Sequence, residues 1–176
     1  MNMIYIKNLI AFFLIAISSI YIISCSYSFT GASVPSHLNS IAIPIASDRS
    51  GSGEPDLNDD FTNMLIQKFI DDNTLLVADK VNADALLECT ITSMNDAPAV
   101  VGTGVEGENI SRRKITISVK ILYRDLVKKT TLLEESYSNY GEYSTDDDII
   151  TARQAAIEEA VKKLTEDILL AVVSNW

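Results

Sequence analysis

The sequence predicts an α+β fold: a two-layer sandwich with a mostly antiparallel sheet of four to five strands and two amphipathic helices on one face. Three observations carry this. Two long stretches after residue 83 alternate apolar and polar residues with period two, as half-buried strands do. Two others, near residue 60 and at the C-terminal end, repeat their apolar residues at helical spacing. The resulting order of strand, helix, several strands and helix suits a sheet covered on one side, which leaves the other side polar and open.

Taken in order, Ser40–Ile45 predicts a short strand, which Pro44 confines to an edge or terminal position because it has no N–H to donate. Ser47–Gly53 is rich in Ser and Gly and reads as a loop. Asp56 or Asn58 is placed to cap the first helix, with Asp59 and Asp60 where carboxylates suit the helix dipole. Leu57, Phe61, Met64, Leu65 and Phe69 share one face, so this helix runs to about Asp71. Thr74–Ala78 is a short strand. From Ala83, Ala85, Leu87, Cys89 and Ile91 point one way, and Asp84, Glu88, Thr90 and Thr92 the other. Cys89 is thus a small buried filler rather than a reactive thiol.

Ala97–Ser111 is a polar, glycine-containing loop with an apolar tip. The clearest strand follows, with Ile115, Ile117, Val119, Ile121 and Tyr123 inward and Lys114, Thr116, Ser118, Lys120 and Arg124 outward. After a basic turn at Asp125–Thr130, Thr131–Tyr140 forms a further strand whose facing the pattern leaves open. Thr145 and Asp148 make a start like a capping box for the last helix. Its apolar stripe is Ile150, Ile157, Val161, Leu164, Ile168 and Val172.

The N-terminal region has a different character. A single cation, Lys7, precedes an apolar run from Leu9 to Ile23, shorter than the roughly 20 residues of a comfortable span. The run ends in Ile22-Ile23-Ser24-Cys25, which resembles a bacterial lipobox. That resemblance implies residues 1–24 as a lipoprotein signal peptide and 25–36 as a lipidated tether, and the length of the remainder predicts a single domain over 37–176. Cys25 would carry a diacylglycerol and an N-acyl chain, and multiple acyl chains anchor far more firmly than one. Ser26, rather than Asp, follows the cysteine, which by analogy implies delivery to the outer membrane, facing the periplasm.

The chain has 176 residues and a net charge of −10. That acidity argues against nucleic acid as a partner and against electrostatic attachment to anionic headgroups. With Cys25 taken by lipid, Cys89 has no partner, so no disulfide framework is expected.

Enzyme chemistry finds little support. His37 is the only histidine, so a catalytic triad or a multi-histidine metal site would have to be built around it. It lies near the tether and reads as a solvated surface residue. No Gly-rich phosphate loop is followed by Lys-Ser/Thr, and Gly102, Gly104 and Gly107 precede no evident helix start. Asp146-Asp147-Asp148 lacks the ligand spacing of a calcium loop and fits a helix start. Arg112-Arg113-Lys114 is the one local concentration of cations. It is either a solvated strand start or, together with Lys120, a candidate contact for an anion or a partner.

Cys25-Ser-Tyr-Ser-Phe-Thr-Gly31, Ile41-Ala-Ile-Pro44 and the closing Ala171-Val-Val-Ser-Asn-Trp176 together resemble the lipopolysaccharide-assembly lipoproteins of the LptE family, in particular its Bacteroidetes-like members. Many members carry Gly-Tyr after the lipidated cysteine, where this chain has Ser26-Tyr27. The resemblance implies a sheet packed on two helices and a non-enzymatic role without cofactor. It implies a partner, a large outer-membrane β-barrel of the LptD type, which such a lipoprotein plugs and helps assemble. Lipopolysaccharide is a candidate ligand, for which Arg112, Arg113, Lys114 and Lys120 are proposed from their own chemistry, although the acidic chain would repel a polyanionic lipid overall. The competing expectation is an accessory lipoprotein that carries an apolar ligand, which would need an apolar cavity between helices and sheet. A lipid-anchored hydrolase ranks third, because His37 is alone.

Overall fold

The structure is a computed structural model that describes residues 34–99, 112–145 and 148–174. Its elements are β1 (Ser40–Ala42), β2 (Ser47–Asp48), α1 (Leu57–Asp72), β3 (Leu76–Val77), β4 (Ala85–Pro98), β5 (Arg112–Asp125), β6 (Thr130–Ser144) and α2 (Ile149–Ser174). The described strands form one open six-stranded sheet in the order β3-β1-β4-β5-β6, with β2 also pairing with β4. The α+β class is as expected, but the sheet is mixed. β4, β5 and β6 form a long antiparallel meander, whereas β1 pairs in parallel with both β3 and β4. The parallel pairs have a simple origin. The chain leaves β1, crosses through α1 and returns as β3 in the same direction, which a hairpin cannot do.

The sixth strand lies in the segment expected to be a loop. Ser47 and Asp48 pair with Thr90 and Ile91, in the same parallel sense as β1 on β4. β1 and β2 are therefore one line of parallel pairing along β4, interrupted at Ile43–Ala46, where Pro44 has no N–H to contribute. The freed N–H of Ala46 donates instead to the Thr62 hydroxyl on α1 at 2.9 Å, which in turn donates to the Asn58 carbonyl at 2.6 Å.

α1 begins at Leu57, after Asp56. Asp56 adopts a left-handed conformation (φ 62°) and caps nothing with its side chain, contrary to its expected role. Asn73, also left-handed, closes the helix by donating its N–H to the Phe69 carbonyl. At α2 the cap is Asp148. Its carboxylate accepts from the Ile150 N–H and the Thr151 hydroxyl, so the helix starts later than a Thr145 cap would place it. Ile150, assigned to the buried stripe, is 81% exposed. The stripe finds a surface only further along, where Ala156 begins a buried series through Ile157, Val161, Leu164, Ile168 and Val172.

The core lies between the helices and one sheet face. Phe61, Leu65 and Phe69 of α1 and the α2 series meet Leu87, Ile91, Ile115, Ile117, Val119, Ile121 and Tyr123, all shut from solvent. Cys89 is buried among them, and burial pushes its thiol up to about 12, so it remains protonated and inert. A register shift between Ile91 and Ser93 reverses the facing in the second half of β4. Before it, odd-numbered residues face the core; after it, Met94 packs against the core and Asp96 joins the same side.

The facing of β6 is settled by its register. Leu133, Tyr137, Gly141 and Tyr143 pair with Tyr123, Val119, Ile115 and Arg113, on the helix side. Gly141 is required there, because a Cβ would lie 2.0 Å from the Ala156 carbonyl oxygen of α2. A small second cluster, Ala42, Ala83 and Leu86, lies apart from the main core; Leu86 breaks the expected polar set on its face of β4.

Candidate functional site

The face of the sheet turned away from the helices is the candidate site. From β5 it presents Arg112, Lys114, Thr116, Ser118, Lys120 and Arg124, and from β6 it presents Glu134, Ser138, Tyr140 and Glu142. Its charges are matched locally. Lys120 Nζ lies 2.6 Å from Glu134 Oε1, Arg124 Nη2 lies 2.7 Å from Glu88 Oε2, and Arg112 Nη1 lies 3.9 Å from Glu142 Oε2. The ammonium of Lys120 holds the Glu134 carboxyl below the usual carboxylate range. Lys114 Nζ sits 5.0 Å from the centroid of the Tyr140 ring, a cation–π contact. Pro44, Ile45, Ser47, Lys80, Glu88, Lys120 and Glu134 line a hollow on this face. Ile45 is largely exposed there.

The structure divides the cluster of three cations that the sequence places together. Arg112 and Lys114 lie on the open face. Arg113, one residue out of phase, turns to the other side, where its Nε donates to Asp96 Oδ1 at 2.8 Å and to the Tyr143 hydroxyl at 3.1 Å. The Asp96 hydrogen bond raises the guanidinium pKa further, and the Tyr143 hydroxyl donates to Asp96 Oδ2 at 2.8 Å. Burial first, then the Asp96 hydrogen bond, pushes the Tyr143 phenol up. Arg153 of α2 adds to this network, 3.7 Å from Asp96 and 2.7 Å from Glu54 in the segment before α1. Five separate segments are tied together at this end of the sheet. Alternation by itself could have separated Arg113 from its neighbours, since successive strand residues face opposite ways.

His37 is not the solvated residue expected. Its Nε2 lies 2.6 Å from Asp125 Oδ2 at the end of β5, and Asp125 is 1% exposed. The other Asp125 oxygen accepts from the Val127 and Lys128 N–H groups at 2.9 and 2.8 Å. Burial raises the Asp125 pKa, but the His37 hydrogen bond and these N–H groups outweigh it and hold the carboxyl below its ordinary value. Asp84, expected on the solvent side, is likewise structural. Its Oδ2 accepts from the Asn39 and Ser40 N–H groups and the Ser40 hydroxyl, which fixes β1 beside β4. These bonds, that from Asn39 the largest, lower its pKa. Sequence spacing gave no sign of either pairing, since the partners are 88 and 44 residues apart.

Among the described residues, no group of three or more His, Cys, Asp or Glu could hold a metal ion, and no helix is long and apolar enough to cross a membrane. Cys25, Gly102, Gly104, Gly107, most of the loop expected at 97–111 and two of the aspartates of 146–148 lie outside the described residues.

The fold has counterparts among solved structures. The hypothetical protein CT253 from Chlamydia trachomatis matches with a TM-score of 0.57 at 11% identity, covering 77% of this chain and 95% of that one. Protein XCC0632 from Xanthomonas campestris matches at 0.57 and 15%, covering 80% and 90%. The rare lipoprotein B from Shewanella oneidensis matches at 0.50 and 14%, covering 76% and 92%. At such identities these likenesses establish the fold. No curated protein matches. The family model for LptE, lipopolysaccharide-assembly, matches residues 38–172, which is nearly the whole described domain, and the chain belongs to that family of non-enzymatic assembly lipoproteins.

Proposed function

We propose that this protein is an outer-membrane lipoprotein, cut before Cys25 and held by acyl chains on that residue, with its domain in the periplasm. There it associates with a large β-barrel of the LptD type, as plug and assembly factor for placing lipopolysaccharide in the outer membrane. The family match across 38–172 carries this reading. The lipobox-like Ile22–Cys25 stretch and a domain with one hydrocarbon core and one open polar face are consistent with it. A polar barrel lumen calls for a surface whose charges are already neutralised in pairs, because an unpaired charge is costly to desolvate. Arg112, Lys120 and Arg124, each beside a carboxylate, give the open face that character, Lys114 lies over the Tyr140 ring, and it is the surface we assign to the barrel. In this role the protein catalyses nothing and needs no cofactor.

The test is to recover the tagged chain from outer membranes and identify by mass spectrometry what stays bound. One large β-barrel at near-equal stoichiometry is the expected result. Recovery of lipid without any barrel would overturn the reading in favour of a ligand carrier. In parallel, Cys25→Ala should abolish incorporation of labelled fatty acid and release the chain from the membrane fraction; persistent labelling would place the lipid elsewhere.

A further inference from the structure

We propose that the end of the sheet formed by the 79–84 loop and the 125–129 turn is a membrane-contact surface, which rests on a bilayer bearing anionic phospholipid. This inference rests on the acyl anchor at Cys25 proposed above and not on the barrel.

The two segments lie side by side. The Leu126 N–H donates to the Asp84 carbonyl at 2.8 Å, and Leu126 packs with Ala78 on the small cluster of Ala42, Ala83 and Leu86. Beyond that apolar base two valines face water, Val81 at 93% exposure and Val127 at 58%. Three exposed lysines, Lys80, Lys128 and Lys129, flank them. The turn has a fixed shape, because Asp125 Oδ1 accepts from both the Val127 and the Lys128 N–H groups. Lys129 has a left-handed backbone (φ 59°), which suits glycine better, so the turn itself gives no reason for a lysine there.

The net charge of −10 argues against attachment to anionic headgroups, but that charge is not spread evenly. On the two segments, Asp125 and Asp84 are engaged by His37 and Ser40, which leaves Asp79 against the three lysines. Asp71 and Asp72 end α1, on the covered side of the sheet. On the open face Arg112, Lys120 and Arg124 each stand beside a carboxylate. Among the described residues Lys128 and Lys129 form no ion pair, and Lys80 is 4.0 Å from Glu88. Paired charges suit a lumen. Unpaired lysines beside exposed valines suit the boundary of water and lipid, where ammonium groups meet phosphates and short aliphatic groups enter the headgroup layer.

The course of the chain selects the end that meets the bilayer. It enters the fold here, where His37 Nε2 lies 2.6 Å from Asp125 Oδ2. Val34, the first described residue, follows Cys25 by nine residues, which span at most about 32 Å. The other end of the sheet also exposes apolar residues, Ile149 and Ile150, shortly after Ser144 pairs with Arg112. The 14 residues of β5 separate the two ends by about 45 Å, so the acyl chains hold the Val127 end near the surface and leave the other free to stand away from it.

Fluorescence of the full-length, acylated chain in vesicles of phosphatidylethanolamine and phosphatidylglycerol tests this. Cys25 is acylated and Cys89 is buried, so the parent chain gives the labelling background. Val127→Cys and Ile150→Cys alter exposed side chains, and each is labelled with a nitrobenzoxadiazole maleimide. Emission from Val127→Cys should shift to the blue, and a nitroxide on the lipid headgroup should quench it several-fold more than emission from Ile150→Cys. Adding Lys128→Glu and Lys129→Glu to Val127→Cys should abolish that excess while the chain still floats with the vesicles. In native outer membranes, a benzophenone maleimide on Val127→Cys should form its adduct with phospholipid. Equal quenching at the two positions overturns the proposal. So does an excess that survives the double lysine replacement, and so does an adduct with a protein in place of lipid. In all of these the chain floats; a chain that does not float overturns the Cys25 anchor and this contact with it.

Discussion

On the helix side of the sheet, Ile115, Ile117, Val119, Ile121 and Tyr123 of β5 are wholly shut from solvent, whereas their neighbours Lys114, Ser118 and Lys120 on the other side keep contact with water. The same strand thus supplies both surfaces. On the covered side, stability comes from apolar area removed from water, at about 25 cal/mol per Å². On the open side, each cation has a partner nearby, and exposed pairs of that kind contribute little to stability. The covered face fixes the fold, and the open face is left to meet something else. Substitutions on the two faces should therefore fail in different ways.

The largest effect is expected at the centre of the covered face. Phe61→Ala removes a fully buried aromatic ring of α1 and should lower stability by about 3–5 kcal/mol, read as a lower urea midpoint. Gly141→Ala should follow, because the new methyl would meet the backbone of Ala156 rather than a movable side chain; a loss of about 1–3 kcal/mol is expected. If Gly141→Ala were neutral, the close approach of α2 to β6 would not be what holds that side of the core together.

A middle-sized effect is expected at Asp125, where the covered face meets the start of the domain. Asp125→Asn weakens the bonds from His37, Val127 and Lys128 and should cost about 1–3 kcal/mol at neutral pH. The sign of its pH dependence follows from the lowered native pKa. The unfolded carboxyl titrates near 3.9, so its contribution is complete above about pH 4 and is lost as pH falls through the lower, folded value. Urea midpoints of the parent and Asp125→Asn chains should therefore converge as pH falls below about 4. A difference that stays constant down to pH 2 would mean that the charge of Asp125 contributes nothing.

What the sequence made legible divides along similar lines. Periodicity located both helices, the two apolar helix stripes from Phe61 and Ile157 onward and the full facing of β5, because burying one face imposes a period on every residue of an element. It left β6 open, since Glu135 and Asn139 interrupt the apolar side at the sheet edge and are compensated by Tyr137 and Asp167. The parallel pairing of β1 was not legible either, because direction depends on the crossover and not on the residues of a three-residue strand. In the candidate site, alternation was informative for Lys114 and Lys120. The bonds of His37 to Asp125 and of Ser40 to Asp84 join distant segments, and no local pattern announces them.

The smallest effect on folding is expected on the open face, and it sharpens the comparison most. Replacing Arg112, Lys114 and Lys120 together by Gln removes three cations whose side chains are partly in water, so the urea midpoint should not move measurably. The same triple variant should lose recovery of the β-barrel from outer membranes, because a face with Glu134 and Glu142 left uncompensated would carry unpaired charge into the interface. A midpoint that falls toward that of Phe61→Ala would show the open face to be part of the folding core. An unchanged midpoint with unchanged barrel recovery would move the contact to another surface. Only an unchanged midpoint with lost recovery separates a face that makes the fold from a face that uses it.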